Sequence, residues 1–317
     1  MSLKCLITSR SFGNINDEPY AVLRNAGYEY LKIGADFSQE EFEKIVPDYD
    51  AAIIGVHPFP SEVLAKCHKL RIIAKNGVGL DNIPLEQCKK QGIAVTNTPG
   101  TNSNAVADLT FALMLNVARN VKLTNMNIAK GNVKPVMGND VCFKTLGLLG
   151  FGAIAKCVAR RASGFGMKIL AYDPFIKELP EEFRTYVKLC SFSEVTENCD
   201  YLSVHMPLTD ETKNMISATQ LAKMKKGTVI INTARGGIVN EKDLYDAIIS
   251  GHIYGAGIDC VENEPPSADN PLYSLDTVII TPHIGMYSKE AINAVGLMCA
   301  KNCAAIVTGE ELVNQVC

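Results

Sequence analysis

Three titratable side chains in the last third of this 317-residue chain have the types and the setting to do chemistry together. Arg235 lies in Asn232-Thr-Ala-Arg-Gly-Gly-Ile-Val-Asn-Glu241, Glu264 in Asp259-Cys-Val-Glu-Asn-Glu-Pro-Pro266, and His283 in Thr281-Pro-His-Ile-Gly285. Each segment follows a short apolar run that reads as a strand: Thr228 to Ile231, Tyr254 to Ile258, and Thr277 to Ile280. In an open parallel sheet, reactive groups collect outside the carboxyl ends of the strands. A guanidinium, a carboxylate and an imidazole are therefore expected to converge at one edge of one sheet. That trio suits the reduction of a 2-oxo acid. A guanidinium grips a carboxylate with its planar fork. An imidazole gives or takes the proton on the reacting oxygen, and a carboxylate holds the ring and favours its charged form. The plainer readings are a surface cation, a turn former before Pro265 and a satisfied strand-end histidine. The Gly-Gly pair behind Arg235 weighs against the first. His57, His68 and His252 read more simply as structural.

The elements that must position these groups form two series. In the first third, Leu3 to Thr8, Tyr28 to Ile33, Ala51 to Val56, Leu70 to Ala74 and Ile93 to Thr96 read as strands. Pro19 to Ala26, Gln39 to Ile45, Ser61 to Cys67 and Leu85 to Gln91 read as the helices between them, which makes a small doubly wound α/β domain. A second series begins at Lys144, with strands at Thr145 to Leu149, Lys168 to Tyr172, Tyr201 to Val204 and the three strands above. A long helical stretch from about Ser103 to Gly131 lies between the series. A second one, from about Ser288 to Thr308, follows the last strand and is expected to cross back to the first domain. The expected fold class is therefore α/β, with two parallel-sheet domains. A substrate domain spans 1–98 with 289–317 returning to it, and a dinucleotide-binding domain spans 99–288. Two crossovers of this kind are the anatomy of a hinge.

The second series opens on Thr145-Leu-Gly-Leu-Leu-Gly150-Phe-Gly152-Ala-Ile-Ala155. Gly150, Gly152 and Ala155 fit the pattern G-x-G-x-x-[G/A] between an apolar strand and a helix. The first glycine permits a tight turn and the second lets the backbone approach a pyrophosphate. The helix start at Ala153 and Ile154 then offers unpaired N–H groups and the positive end of a dipole. A glycine triplet alone is weak evidence, but Asp173, about 20 residues on after the next strand, completes the pattern. An acid at this place hydrogen-bonds a ribose diol and repels a 2′-phosphate, so NAD is expected over NADP.

Composition excludes other classes. Apolar residues make up 47% and charged residues 21% of the chain, as in a globular soluble protein. A formal charge of −3 argues against nucleic acid as the main partner. No apolar run reaches the roughly 18 residues of a spanning helix, so no membrane partner is expected. The first residues lack a signal-type pattern and read as a strand. The 11 cysteines are scattered without a Cys-x-x-Cys pair, which reads as reduced buried thiols in a cytoplasmic protein. No histidine accompanies a cysteine at ligand spacing, so no metal is expected.

With these motifs in place, the chain resembles the D-isomer-specific 2-hydroxyacid dehydrogenases over nearly its whole length. The matching segments are Asn76-Gly-Val-Gly-Leu-Asp-Asn82, Asn97-Thr-Pro-Gly-Thr-Asn-Ser103, the glycine loop, His205-Met-Pro-Leu-Thr209, and the Arg, Glu and His segments. Within that family it looks most like the phosphoglycerate dehydrogenases, and a short form without a C-terminal regulatory domain is expected. The resemblance implies a flavodoxin-like substrate domain with an inserted Rossmann domain, and Arg235, Glu264 and His283 as the catalytic set. It implies NAD held by Gly150, Gly152, Ala153 and Ile154, with Asp173 on the adenosine ribose and His205 and Pro207 flanking the nucleotide. Asp259 is implied near the nicotinamide, with Thr233, Ala234 and Gly285 as further cofactor-side candidates. The backbone of Val78 and Gly79 is implied to receive the substrate carboxylate. A homodimer is implied through about residues 99–142.

The chain departs from the family in places. Asp108 stands where Glu is usual, and no Trp occurs. Gly55-Val56-His57 stand where phosphoglycerate-specific members carry an Arg, and Lys75 stands where another Arg is common. Arg10, His57 and Lys75 are then the candidates to meet a substrate phosphate. The expected function is NAD-dependent interconversion of a D-2-hydroxy acid and its 2-oxo acid, either 3-phosphoglycerate or a broader glyoxylate- and hydroxypyruvate-type range. A non-catalytic NAD-sensing protein is the rival from another class, and an intact trio argues against it. Formate oxidation is the rival within chemistry; Glu264, where Gln is usual for that reaction, argues against it.

Overall fold

The computed structural model of this chain describes residues 2–34, 37–264 and 267–317. Pro265 and Pro266 of the Glu264 segment lie outside the described residues. Contacts divide the chain into two units, Met1–Asn102 with Met286–Cys317, and Ser103–Gly285. The crossings thus fall at 102/103 and 285/286, a few residues from the boundaries read in the sequence.

The first unit carries β1 (Leu3–Ile7), α1 (Glu18–Asn25), β2 (Tyr28–Lys32), α2 (Gln39–Ile45), β3 (Ala51–Ile54), α3 (Ser61–Leu64), β4 (Ile72–Lys75), α4 (Leu85–Gln91) and β5 (Ala94–Thr96). Its sheet is parallel, in the order β2-β1-β3-β4-β5. That is the flavodoxin-like winding, in which polar groups gather where the order reverses. Alternate residues of each strand enter opposite cores: Leu6, Ala52, Ile54 and Ile73 on one face, Cys5, Ile7, Ile53 and Ile72 on the other. This two-faced burial is why these strands read as continuous apolar runs. The predicted helix at Ser61 to Cys67 is shorter than expected. Its C-terminal Ala65 N–H closes back onto Ser61 O and Val63 O and ends the helix at Leu64.

The second unit opens on α5 (Ser103–Ala118) and α6 (Val121–Ala129), then β6 (Thr145–Leu149), α7 (Ala153–Gly164), β7 (Lys168–Tyr172), β8 (Val187–Leu189), α8 (Phe192–Asn198), β9 (Tyr201–Val204), α9 (Ala218–Lys223), β10 (Thr228–Asn232), α10 (Glu241–Ile249), β11 (Ile253–Ile258) and β12 (Val278–Ile280). Its sheet is also parallel, in the order β12-β11-β10-β9-β6-β7-β8. Counted from β6, this is the Rossmann order extended by one strand. The predicted long helix between the series is broken. Asn120 takes the left-handed conformation (φ 52°), and its side chain donates to Met137 O at 2.8 Å and to the Tyr254 hydroxyl at 2.7 Å. The helix restarts at Val121.

The chain returns to the first unit as α11 (Lys289–Thr308), capped by the Ser288 hydroxyl and ended by Gly309 in the left-handed region. By length and composition this helix is apolar enough to cross a membrane, which corrects the expectation that no segment is. Half of its most apolar window is buried within the protein, and Cys299, Ala300 and Cys303 enter the first unit's core. That is the pattern of a core helix.

Candidate active site

The nucleotide side of the second unit is built on β6. Gly150 follows it with φ 87°, and a Cβ there would lie 2.6 Å from the His205 carbonyl oxygen, so the turn admits only glycine. A Cβ on Gly152 would meet nothing within 4 Å among the described residues, which leaves an open cradle in front of α7. No side chain caps α7, unlike α8, whose Ser191 and Glu194 form a reciprocal cap. The first N–H groups of α7, at Ala153 and Ile154, are thus left for an anion. Asp173 stands at the end of β7. Its Oδ2 accepts from Phe151 N at 2.8 Å and its Oδ1 from Phe175 N at 2.9 Å, so the acid also braces the glycine loop. Each oxygen retains a second lone pair for a diol.

At the end of β9 the His205 Nε2 pairs with the Ser203 hydroxyl at 2.8 Å. Its Nδ1 is buried without a partner among the described residues, although the residue as a whole is only half-buried. Burial pushes this ring down to about 3, so it is neutral. An open glycine cradle, an uncapped helix start and an orphaned ring nitrogen together fit a dinucleotide. Pro207 is exposed, with its carbonyl held by the Thr212 hydroxyl at 2.7 Å. Thr233 is buried and shares a 3.0 Å hydroxyl contact with Thr110 of α5.

The reactive side is formed by the turns after β10, β11 and β12. After β10, Asn232 Nδ2 donates to Arg235 O at 2.8 Å and Asn232 Oδ1 accepts from Ala234 N at 3.1 Å, which folds the Arg235 loop back on itself. A Cβ on Gly236 would lie 1.9 Å from Val261 O, so only glycine lets this loop seat against the turn after β11. The Ala234 carbonyl accepts from Arg235 Nη1 at 2.8 Å and from the Cys260 thiol at 3.4 Å, which brings the Arg235 and Cys260 side chains to one oxygen.

Asp259, 1% exposed, organises the turn that carries His283. Its Oδ1 accepts from the Thr281 hydroxyl at 2.6 Å and from Ile284 N at 2.8 Å, and its Oδ2 from Gly285 N at 2.8 Å. The Asp259 carbonyl accepts from His283 N at 2.9 Å. So held, His283 adopts φ 53°, a left-handed conformation that a non-glycine residue keeps only when its surroundings impose it. Its Nδ1 lies 2.9 Å from Glu264 Oε2 and 3.1 Å from Oε1, and both side chains are partly open to solvent. The Cys260 sulfur, and after it the Glu264 carboxylate, push the ring up to about 10.

The structure therefore brings Glu264 and His283 into contact and sets the Arg235 loop against the same turn. It also brings in Cys260, which the sequence reading passed over. The ligand atoms of Cys260, Glu264 and His283 lie within 4.8 Å of one another. The expectation that no cysteine accompanies a histidine holds along the chain but not in space, because parallel pairing of β11 and β12 aligns the two turns. His252 is structural as expected, its Nε2 facing Met224 O at 3.0 Å.

In the first unit, Lys75 ends β4 and its Nζ donates to Gly55 O and to Asn82 Oδ1, both at 2.7 Å. Asn82 Nδ2 in turn donates to Gly55 O at 3.1 Å and His57 O at 2.7 Å, so the lysine belongs to a network that ties the turn after β3 to the loop after β4. Val78 is exposed and its carbonyl accepts from Asn97 Nδ2 at 2.8 Å, while Gly79 is half-buried. Beside them sits a polar group that sequence reasoning missed. Buried Asn76 donates to the Ser9 and Ser11 hydroxyls at 2.8 and 3.3 Å, and its Oδ1 has no partner among the described residues. Arg10 is exposed, and His57 keeps a buried Nδ1 without a partner among the described residues.

A parallel sheet of Rossmann order with an open glycine cradle and an imidazole–carboxylate pair at the same carboxyl edge defines a dinucleotide-dependent oxidoreductase. The family model for the NAD-binding domain of D-isomer-specific 2-hydroxyacid dehydrogenases matches residues 111–285. A hydroxypyruvate reductase of Thermotoga maritima is 41% identical over 277 residues, covering 85% of this chain and 89% of that protein. A D-3-phosphoglycerate dehydrogenase of Methanocaldococcus jannaschii is 36% identical over 305 residues; these cover 95% of this chain but only 58% of that longer protein. Among solved structures, the NAD+-bound 3-phosphoglycerate dehydrogenase of Entamoeba histolytica superposes with a TM-score of 0.84 at 29% identity, covering 100% of this chain and 99% of that one. The chain belongs to the D-isomer-specific 2-hydroxyacid dehydrogenases. It is an NAD-dependent oxidoreductase that interconverts D-2-hydroxy acids and 2-oxo acids by hydride transfer.

Proposed function

We propose that this chain reduces a small unphosphorylated 2-oxo acid, of the glyoxylate or hydroxypyruvate kind, and oxidises the matching D-2-hydroxy acid in reverse. The observation that carries the catalytic half is the His283–Glu264 pair, 2.9 Å apart with the ring pushed up to about 10. At neutral pH the ring is an imidazolium that donates from Nδ1 to Glu264. Its other nitrogen gives a proton to the carbonyl oxygen during reduction and takes one from the hydroxyl during oxidation. Glu264 fixes the ring plane and balances its charge. Arg235 binds the substrate carboxylate and polarises the 2-oxo group. Bound NADH supplies the hydride. Gly150, Gly152, Ala153 and Ile154 would hold its pyrophosphate, Asp173 its adenosine ribose, and His205 and Pro207 would flank it. Thr233, Ala234, Asp259 and Gly285 stand on the nicotinamide side, where Asp259 acts chiefly by holding the His283 turn. Val78 and Gly79, after β4 of the first unit, are the candidate backbone donors of that unit to an anionic substrate.

The substrate half rests on Lys75. Its ammonium donates to Gly55 O and Asn82 Oδ1, so it serves the loop rather than a distal phosphate. Steady-state reduction of glyoxylate, hydroxypyruvate, pyruvate and 3-phosphohydroxypyruvate with NADH tests this. We expect kcat/KM for the best unphosphorylated acid to exceed that for 3-phosphohydroxypyruvate by about tenfold or more, the weight of one charge-assisted contact. The opposite order would restore the phosphoglycerate reading.

The proposed assembly is a homodimer through about residues 99–142. None of the residues of α6 is buried, and its Val121 and Ile128 are exposed, as are Val133 (80%) and Met137 (90%) beyond it. An apolar surface of this kind calls for a second copy; light scattering on a sizing column would give twice the chain mass. The eleven unpaired cysteines suit a reducing cytoplasm, and neither nucleic acid nor membrane enters the proposal.

A further inference from the structure

We propose that Cys260, Glu264 and His283 form a binding site for a thiophilic divalent cation, zinc being the probe, and that its occupation arrests the enzyme. The three residues supply one thiolate, one carboxylate oxygen and one imidazole nitrogen, the ligand types of a zinc site with one position left open for water. Their ligand atoms lie within 4.8 Å of one another. Tetrahedral zinc with ordinary bond lengths places such atoms about 3.3–3.6 Å apart, so the widest gap must close by about an ångström. Side-chain rotation supplies that. Glu264 and His283 are 39% and 45% exposed at their side chains and free to adjust, whereas Cys260 is 1% exposed and fixed beneath them. The His283 turn is tied, hanging on Asp259 by three hydrogen bonds, and metal binding gives up the contact of the Cys260 thiol with Ala234 O.

Binding replaces protons. The Cys260 S–H bond breaks, its proton passes to water, and the sulfur's electron pair goes to the metal; the shared His283–Glu264 proton is also released as both groups turn to the cation. No electron is transferred. Because those protons compete, the site is weaker than a closed structural zinc site, which suits reversible inhibition. A metal on His283 takes away the acid that the reduction needs. That last step rests on His283 being the acid, whereas binding itself does not.

The test separates the two. Cobalt(II) titrated into the NAD-free protein should give a thiolate-to-cobalt charge-transfer band saturating at one equivalent per chain. The band should vanish in Cys260→Ser and persist in Cys142→Ser, which removes an exposed thiol elsewhere. Zinc should slow 2-oxo acid reduction by the wild type. Relative to each protein's own metal-free rate, the half-inhibiting zinc concentration should rise at least about tenfold in Cys260→Ser, since even outer partners of a metal site are worth that much. No band, or a band that survives in Cys260→Ser, overturns the site. A Cys260-dependent band without inhibition overturns the inhibitory half of the proposal, while the role of His283 as acid is judged separately by the rate of His283→Ala without metal.

Discussion

Glu264→Gln exposes the coupling between the carboxylate and the ring it holds. In the protein His283 stands at about 10, against about 6.5 for an unperturbed imidazole. The pair is partly open to water, with side-chain exposures of 45% and 39%, so solvent screens it and the carboxylate's share is smaller than the whole shift. One pH unit corresponds to about 1.4 kcal/mol. A screened but well-aligned charge pair of about 1.5–3 kcal/mol therefore predicts a fall of about one to two units when Glu becomes Gln. Reduction needs the protonated ring, so its rate fails as pH rises through the His283 value. The assay is kcat/KM for 2-oxo acid reduction across the alkaline range, at saturating NADH. Its alkaline limb should move from near pH 10 in the wild type to about pH 8–9 in the variant. Oxidation needs the neutral ring, so its optimum should move down with the same midpoint. The fold responds with the same sign. Because the folded value is raised, the pair's contribution to stability is complete below about pH 6.5 and is lost as pH climbs through the folded value near 10. Superimposable limbs in wild type and variant would refute the coupling.

Asp173→Ala should lower NADH efficiency by about tenfold to a hundredfold and leave NADPH closer to NADH, since one lost charged hydrogen bond is worth about 1.5–3 kcal/mol; equal use of both cofactors by the wild type would remove Asp173 from the ribose. Lys75→Met should depress glyoxylate and 3-phosphohydroxypyruvate reduction alike and lower the melting temperature by a few degrees, because it cuts two 2.7 Å bonds of a loop network; a KM effect confined to the phosphorylated acid would show Lys75 to be a phosphate ligand. Gly236→Ala should cut turnover sharply while NADH still binds, because a Cβ placed 1.9 Å from Val261 O must push the Arg235 loop off its seat; wild-type turnover would mean that Arg235 does not depend on this contact.

Local patterns were the legible part of this chain. β6, the glycine turn and α7 follow one another within a few residues, so strand, φ-positive turn and helix start could be read together. The Arg235, Glu264 and His283 segments were legible for a like reason: each directly follows an apolar strand, and a parallel sheet sends all such ends to one edge. What escaped lies in tertiary placement. β8, Val187–Leu189, is a three-residue edge strand with one buried residue, too short for any period. The break at Asn120 carries no Gly or Pro to announce it and is imposed by partners at Met137 and Tyr254. Cys260 looked like one more buried thiol until β12 laid His283 beside it. The grip of Asp259 on Thr281, Ile284 and Gly285 was not legible either, because only the adjacency of β11 and β12 creates it. Lys75 read equally well as a ligand or a brace, and the oxygens of Gly55 and Asn82 are what favour the brace.

The central claim is that His283 is the acid that reduces a 2-oxo acid in this site. The most direct measurement is single-turnover reduction by preformed enzyme–NADH with His283→Ala, followed at the nicotinamide absorbance, alongside an NADH binding titration. A positioned acid is worth about 10²–10⁴-fold, so the account predicts a loss of that size in the chemical step with NADH affinity within about twofold of wild type. A chemical step in His283→Ala as fast as in the wild type would contradict it.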